Sequence, residues 1–518
     1  MTPIRLMRSF ATVGGWTLAS RILGFARDIL MAGYLGAGAV TDAFNAAFSL
    51  PNMFRRFFAE GAFNLAFVPM FTKKYTTDKA EAEAFARDAY WLMASFLIGF
   101  SLLAMAAMPL LVWAIVPGYA ATEKFDMTVL FGRIAFPYIL FISLTALLSG
   151  MLNATGRFAT AAAAPILLNA TFIASLLLAA RLGWPMGLTL AWAVPLGGVA
   201  QLVVVWFAVR RAGFSMRFRR PALTPELKRL LIIAAPAVLA GGVMQINLVV
   251  GRQVASFTES AVSWLYYADR LYQLPLGVVA IAVGVVLLPE LSRRLREGEV
   301  ERARDAFSRG MEFSLALTLP AAVALVVIAH PLISVLFERG AFTATDTAST
   351  ALALSIYGLG LPAFVLHKVL QPLYYAREDT RSPFRYALNS MVVNAVLAFG
   401  LMPFIGFTAA AWGTTIAAWA MVWQLWYGAR PMGEAARPDA RMRDRFWRIA
   451  LASAFMGLCL WLAGQALTPM LYGPGRTLAL LALVLAGIVS YFGMGALIGA
   501  FRLSDFRAAI RRGNKEAG

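Results

Sequence analysis

Apolar residues run along this chain in stretches of about 20, long enough to cross a bilayer as helices. Polar positions gather between the stretches and do not alternate within them. A membrane barrel needs that alternation, so helices are the remaining way to satisfy the backbone in lipid. The pattern predicts about fourteen segments, near residues 9–33, 43–72, 88–114, 128–152, 160–180, 187–209, 230–255, 262–290, 311–336, 347–372, 384–402, 408–428, 449–468 and 477–500. The fold class expected is an all-α polytopic membrane protein.

Composition supports this, with 60% hydrophobic and only 14% charged residues. Soluble domains carry about half and about a quarter. The net charge of +19 would suit nucleic acid, but the cations sit in short loops between apolar segments, where membrane topology accounts for them. With a cytoplasmic N-terminus, most of the 46 Lys and Arg fall on the cytoplasmic side. Only Lys124, Arg181, Arg252, Arg339 and Arg476 fall in loops or ends on the other. A span missed in mid-chain would destroy that asymmetry, so both termini are expected in the cytoplasm. Arg21 and Arg27 interrupt the apolar stretch after Arg5 and Arg8, so the first helix is expected to be retained and not cleaved as a signal peptide. The lone Cys459 excludes an intrachain disulfide, and His330 and His367 lack metal-ligand spacing.

A repeat is visible. Pro69-Met-Phe-Thr-Lys73-Lys74 closes the second segment and Pro289-Glu-Leu-Ser-Arg293-Arg294 closes the eighth, about 220 residues later. Leu50-Pro51 recurs as Leu274-Pro275, Pro137 as Pro362, and Asn169 as Asn394. Two parallel six-helix lobes follow, residues 1–220 and 221–430, with two extra helices and a basic tail at 431–518. Such lobes enclose a central cavity in transporters. The basic loop from Arg210 to Arg229, with Phe214, Met216, Phe218 and Leu223 interleaved, reads either as a segment on an anionic leaflet or as a solvated topology determinant.

Several charges interrupt the apolar runs. An arginine at the bilayer centre costs about 2.5–3.5 kcal/mol on insertion scales, so it usually faces water or a partner. The first segment carries Arg21, Arg27 and Asp28, the second Asp42, Arg55, Arg56 and Glu60, and the eighth Asp269 and Arg270. On a helix Arg21 and Asp28 are about 700° apart, nearly the same face, and Arg27 is about 120° from Arg21. A kink at Gly24 would bring both guanidinia to one cavity. Cations around a wet cavity suit a polyanion, and guanidinium binds phosphate bidentately. The competing reading is a set of buried ion pairs fixing helix registry, with Asp28, Asp42, Glu60 and Asp269 as the acids. No Walker A, Ser-His-Asp, HExxH or CxxC pattern appears, so neither ATPase nor hydrolase chemistry is expected.

The motifs Arg21-Ile-Leu-Gly-Phe-Ala-Arg27-Asp28, Thr41-Asp42-Ala-Phe, Leu50-Pro-Asn-Met-Phe-Arg55-Arg56-Phe-Phe-Ala-Glu60-Gly-Ala-Phe, Ser263-Trp-Leu-Tyr-Tyr-Ala-Asp269-Arg270-Leu and Phe337-Glu-Arg-Gly-Ala-Phe-Thr343 resemble the MurJ (MviN) family of bacterial lipid II flippases. The likeness runs nearly the whole chain, through Gln371-Pro-Leu-Tyr-Tyr-Ala-Arg377 and on to the terminal helices. It implies a fourteen-helix member of the multidrug/oligosaccharidyl-lipid/polysaccharide exporter superfamily in the bacterial cytoplasmic membrane. Its substrate would be lipid II, an undecaprenyl diphosphate bearing the peptidoglycan precursor, moved outward by alternating access. It places substrate-binding roles on Arg21, Arg27, Arg55 and Arg270, and gating roles on Asp28 and Asp42. Arg56, Glu60 and Asp269 are expected to gate or balance charge. The last two helices would form a groove for the lipid tail. Some relatives carry an acid where this chain has Gln273, so a carboxylate role there is not carried over. No metal or cofactor is expected, the membrane potential is the expected driving force, and peptidoglycan-synthesis proteins are candidate partners beside membrane lipids. The rival readings are a drug/cation antiporter of the same superfamily, which needs an anionic cavity, and a non-transporting scaffold, which needs no arginines in mid-membrane.

Overall fold

The computed structural model describes residues 3–56, 62–282 and 287–500, and among these it is built of helices with no strand. In order they are α1 (Pro3–Leu35), α2 (Ala39–Arg55), α3 (Ala62–Thr77), α4 (Lys79–Ala106), α5 (Met108–Ile115), α6 (Glu123–Ala135), α7 (Tyr138–Ala154), α8 (Phe158–Leu182) and α9 (Met186–Arg211). There follow α10 (Pro225–Ser256), α11 (Ala261–Ala282), α12 (Leu288–Arg296), α13 (Val300–Val327), α14 (Ala329–Phe337) and α15 (Ala344–Tyr375). The last are α16 (Arg381–Ile405), α17 (Thr408–Gly428), α18 (Ala440–Leu471) and α19 (Arg476–Leu497).

Proline explains where some expected segments divide. Segment 128–152 appears as α6 and α7 with Pro137 between them, and 88–114 as α4 and α5 with Pro109 in the first turn of α5. Proline donates no amide hydrogen bond and crowds the preceding turn, but fits a first helical turn. Helix starts carry their own signals. Asp78 caps α4, Thr224 caps α10, Asp439 caps α18, and Thr343 forms a reciprocal capping box with Asp346 at α15.

Nine helical stretches among the described residues are long and apolar enough to cross a membrane: α4, α6–α7, α8, α9, α13, α15, α16, α18 with its preceding turn, and α19. The chain is an all-helical, multi-pass membrane protein. The helices with the intramembrane charges, α1 and α2 among them, fall outside that set.

Contacts group the chain into two compact units, residues 1–263 with 339–342, and residues 264–338 with 343–518. The first is organised around Met31, Phe44, Phe131, Tyr138, Phe172 and Leu190. The second has one core around Phe307, Met311, Val369, Leu373 and Leu425, and another where α18 and α19 meet α13 and α14, through Ile328, Met456, Leu460 and Leu483. Between α13, α18 and α19 lies an apolar cavity of about 220 Å³, lined by Pro320, Ala324, Met456, Leu460, Gly487 and Phe492 among others.

Candidate functional site

In the first unit α1 runs unbroken through Gly24. Arg27 is 8% exposed and Asp28 is buried. Arg27 Nε and Nη2 both donate to Asp28 Oδ1, at 3.0 and 2.7 Å. Nη1 donates to Asn169 Oδ1 on α8 at 3.1 Å, and the guanidinium carbon lies 5.3 Å from the centre of the Phe172 ring. Asn169 is itself anchored, because its amide donates to the Ser20 carbonyl at 3.1 Å. A buried guanidinium thus has a carboxylate, a carboxamide and a ring face around it, the arrangement that makes burial of the charge tolerable. Arg21 is exposed on the same helix, and Arg55 is half-buried at the end of α2 with Arg56 exposed beyond it. Glu60 lies outside the described residues.

Asp42 does not join these arginines. It is wholly buried and takes four donors: Lys124 Nζ at 3.0 Å, the Ser260 amide at 3.0 Å, and the amide and hydroxyl of Ser263 at 3.0 and 2.7 Å. Ser263 is the third residue of α11, and accepting from that amide is the work of an N-cap side chain. Asp42 therefore caps a helix to which it does not belong. Ser260 holds a left-handed φ of 63°, which costs a non-glycine residue about 1 kcal/mol or more and needs outside support.

Beside this cluster the end of α1 meets residues 339–342, which are grouped with the first unit. The Ala341 amide donates to the Gly33 carbonyl at 2.9 Å. Gly36 and Gly340 both have positive φ, at 64° and 58°. A Cβ on Gly36 would stand 2.3 Å from the Ala341 carbonyl oxygen, and one on Gly340 would stand 2.1 Å from that of Gly33. Only glycine permits this backbone-on-backbone approach.

α10 is held within the first unit at both ends. Near its start, Lys74 donates to Glu226 at 2.7 Å and also to Glu81. These hydrogen bonds raise the Lys74 ammonium above its ordinary range. At its other end, Ser256 Oγ accepts from the Gly118 amide at 2.9 Å.

In the second unit Arg270 stacks on Tyr266, with the guanidinium carbon 4.6 Å from the ring centre and Nη2 donating to the hydroxyl at 3.1 Å. One turn on, the Gln273 amide donates to the Asp269 carboxylate. Gln273 thus supplies a donor to the acid one turn before it on the same helix. Four side chains at these sites escaped the sequence reading as site residues: Asn169, Lys124, Ser263 and Tyr266. Asn169 was visible as a repeat landmark and Lys124 as one of five cations on the sparsely charged side. Ser263 and Tyr266 carried no signal beyond lying in the motif.

Residues 31–483 match the family described as lipid II flippase MurJ. A relative from Rhizobium tropici, named probable lipid II flippase MurJ, is 45% identical, covering 98% of this chain and 97% of its own. A solved structure described as lipid II flippase MurJ in an inward closed conformation aligns with a TM-score of 0.78 at 25% identity, over 94% of this chain and 98% of that one. An inward-facing multidrug resistance MATE transporter of the MOP superfamily shares the fold, with a TM-score of 0.66 at 16% identity over 80% of this chain and 95% of that one. The motifs around the buried arginine and the Asp42 cluster therefore lie in a chain that belongs to the lipid II flippase MurJ family.

Proposed function

We propose that this protein translocates lipid II from the inner to the outer leaflet of the bacterial cytoplasmic membrane, as a transporter without ATPase or other enzymatic chemistry. The observation that carries the reading is Arg27, a guanidinium buried in α1 of a chain that matches lipid II flippases over nearly its whole length. Arg21, Arg27, Arg55 and Arg270 bind the diphosphate and headgroup. Asp28, Asp42, Arg56, Glu60 and Asp269 gate the pathway or balance its charge. An arginine held by a carboxylate and a carboxamide is ready to exchange them for phosphate oxygens, which guanidinium binds in a bidentate fork. The Asp42 cluster and the Gly33–Ala341 contact form the outer gate, which parts when the headgroup leaves.

The helices number fourteen, with α1, α2–α3, α10, α11–α12 and α17 added to the nine apolar spans, and both termini are cytoplasmic. The functional halves are residues 1–220 and 221–430. The 431–518 region holds the undecaprenyl tail, and the apolar cavity between α13, α18 and α19 supports that role. The membrane potential is sufficient as a driving force. Each negative charge moving outward gains about 2.3 kcal/mol per 100 mV, and a diphosphate with roughly two charges gains about twice that. Peptidoglycan-synthesis proteins are the candidate partners.

The test is reconstitution with labelled lipid II, reading leaflet exposure with and without a potential. Arg27→Ala and Arg270→Ala should abolish transport while the protein remains folded and inserted. Full transport by both variants would sink the arginine reading, and no transport by the parent protein would favour a scaffold.

A further inference from the structure

The loop after α9 is not a loose linker. Phe214 and Met216 are buried, and Phe214 packs against Phe71 and Tyr75 with ring centres 6.0 and 5.9 Å away. The Ser215 amide donates to Glu83 at 3.0 Å, Trp91 Nε1 donates to the Arg217 carbonyl at 3.0 Å, and Arg219 pairs with Asp88 at 3.0 Å. The strap is thus pinned to α4. What it turns outward is cationic and apolar: Phe218 is 72% and Leu223 59% exposed, and Arg217 and Arg220 are exposed beside them.

Two observations bear on what this surface meets. First, among the described residues Arg210, Arg211, Arg217, Arg220, Lys228 and Arg229 form no ion pair. The basic run around α12 and α13 differs: Arg293, Arg294 and Arg302 pair with Glu290, Glu297 or Glu299, and Arg309 and Arg445 with Glu312. The segment's single acid, Glu226, is taken by Lys74, so these six exposed cations are left for solvent or for an anionic partner. Second, Trp91 shares a helical face with Ser95, Ile98 and Leu102, which are exposed along α4 as a lipid-facing stripe is. Phe218 packs edge-on against Trp91 at 4.9 Å. The strap therefore sits where that stripe ends, at the level of headgroups.

We propose that residues 210–229 form a built docking surface for anionic phospholipid headgroups of the adjoining leaflet, with Arg217 and Arg220 contacting phosphate and Phe218 and Leu223 entering the acyl boundary. This is independent of the transported substrate. Cys459 is the chain's single cysteine, so Cys459→Ser with Ala222→Cys places one label on the strap. The full-length protein, labelled with a polarity-sensitive fluorophore, is reconstituted in phosphatidylethanolamine vesicles with and without phosphatidylglycerol. The expected result is a blue shift and stronger quenching by lipid-borne quenchers only when phosphatidylglycerol is present. Both changes should be lost in high salt and in Arg217→Gln/Arg220→Gln, whose side chains make no ion pair in the fold. Thermal unfolding of that variant should match the parent. Water-like emission in both vesicle types, as a surface for a soluble partner would give, overturns the proposal. So does lipid-like emission in both.

Discussion

Asn169 on α8 accepts a hydrogen bond from Arg27 on α1 across 142 positions of sequence. Replacing it with leucine fills similar space but removes the acceptor from a buried guanidinium. A hydrogen bond to a charged group is worth about 1.5–3 kcal/mol, so Asn169→Leu should lower thermal stability in detergent by that order. Asn169→Asp retains the acceptor but loses the donor to the Ser20 carbonyl, so it should recover only part of the loss. In an Arg27→Met background the leucine substitution should cost little more, because the two groups share one interaction. A leucine variant as stable as the parent would contradict the contact.

Asp42 and Lys124 form a buried pair in which the carboxylate has four donors and the ammonium has few other partners. Asp42→Ala should be the more damaging change, at about 3–5 kcal/mol, since it strands the Lys124 charge and uncaps Ser260 and Ser263. Lys124→Gln should cost less, because the three serine donors remain. If these contacts close the outer gate, a cysteine placed nearby in Asp42→Ala should react faster with a membrane-impermeant thiol reagent added outside. An unchanged labelling rate would remove Asp42 from the gate.

Three glycines with positive φ make an internal comparison. Gly183 ends α8 at φ 69° with open space around it, so Gly183→Ala should cost only the left-handed penalty of about 1–2 kcal/mol. Gly36→Ala and Gly340→Ala add a collision with a backbone oxygen, and neither oxygen can move without shifting a helix end or a turn. Both should destabilise clearly more than Gly183→Ala in the same unfolding assay. Equal losses at all three positions would mean that the close approach is absent.

Asp379, in the turn before α16, gives a pH-dependent term. Its carboxylate accepts from the Ser382 amide at 2.9 Å, and hydrogen bonds from Ser382 hold its pKa below the ordinary carboxylate value. A depressed folded-state pKa contributes stability that is present above about pH 3.9 and is lost as pH falls through the lower folded value. Hydrogen exchange at the start of α16 should therefore speed up in acid, after correction for intrinsic rates. Asp379→Asn should remove that pH dependence, and an identical acid response in the variant would rule the carboxylate out.

The helical, membrane-spanning character was legible because it depends on run length and composition, which local sequence carries directly. Arg27 and Asp28 could be picked out because charge in an apolar run is anomalous at the level of single residues. Their partners were harder to see. Asn169 is an unremarkable polar residue until α8 is laid against α1, and Ser263 becomes a capping donor only when Asp42 reaches it from another helix. Such relations depend on which helices touch, and periodicity says nothing about that. The breaks near Pro109 and Pro137 could have been read from proline chemistry, whereas the run-length reading merged the pieces on either side.

A carboxylate that caps another helix ties two processes together. While Asp42 is in place, the first turn of α11 has acceptors for its outward-pointing amides. When Asp42 withdraws, the Ser260 and Ser263 amides lose those acceptors, and Ser260 loses support for its left-handed backbone. Water must then replace the carboxylate or the turn must unwind, so parting these residues carries a small, local folding transition. Under the proposed gating role, hydration at one turn of helix sets how readily the contact breaks and re-forms, and Arg270 lies only a few turns along the helix so affected.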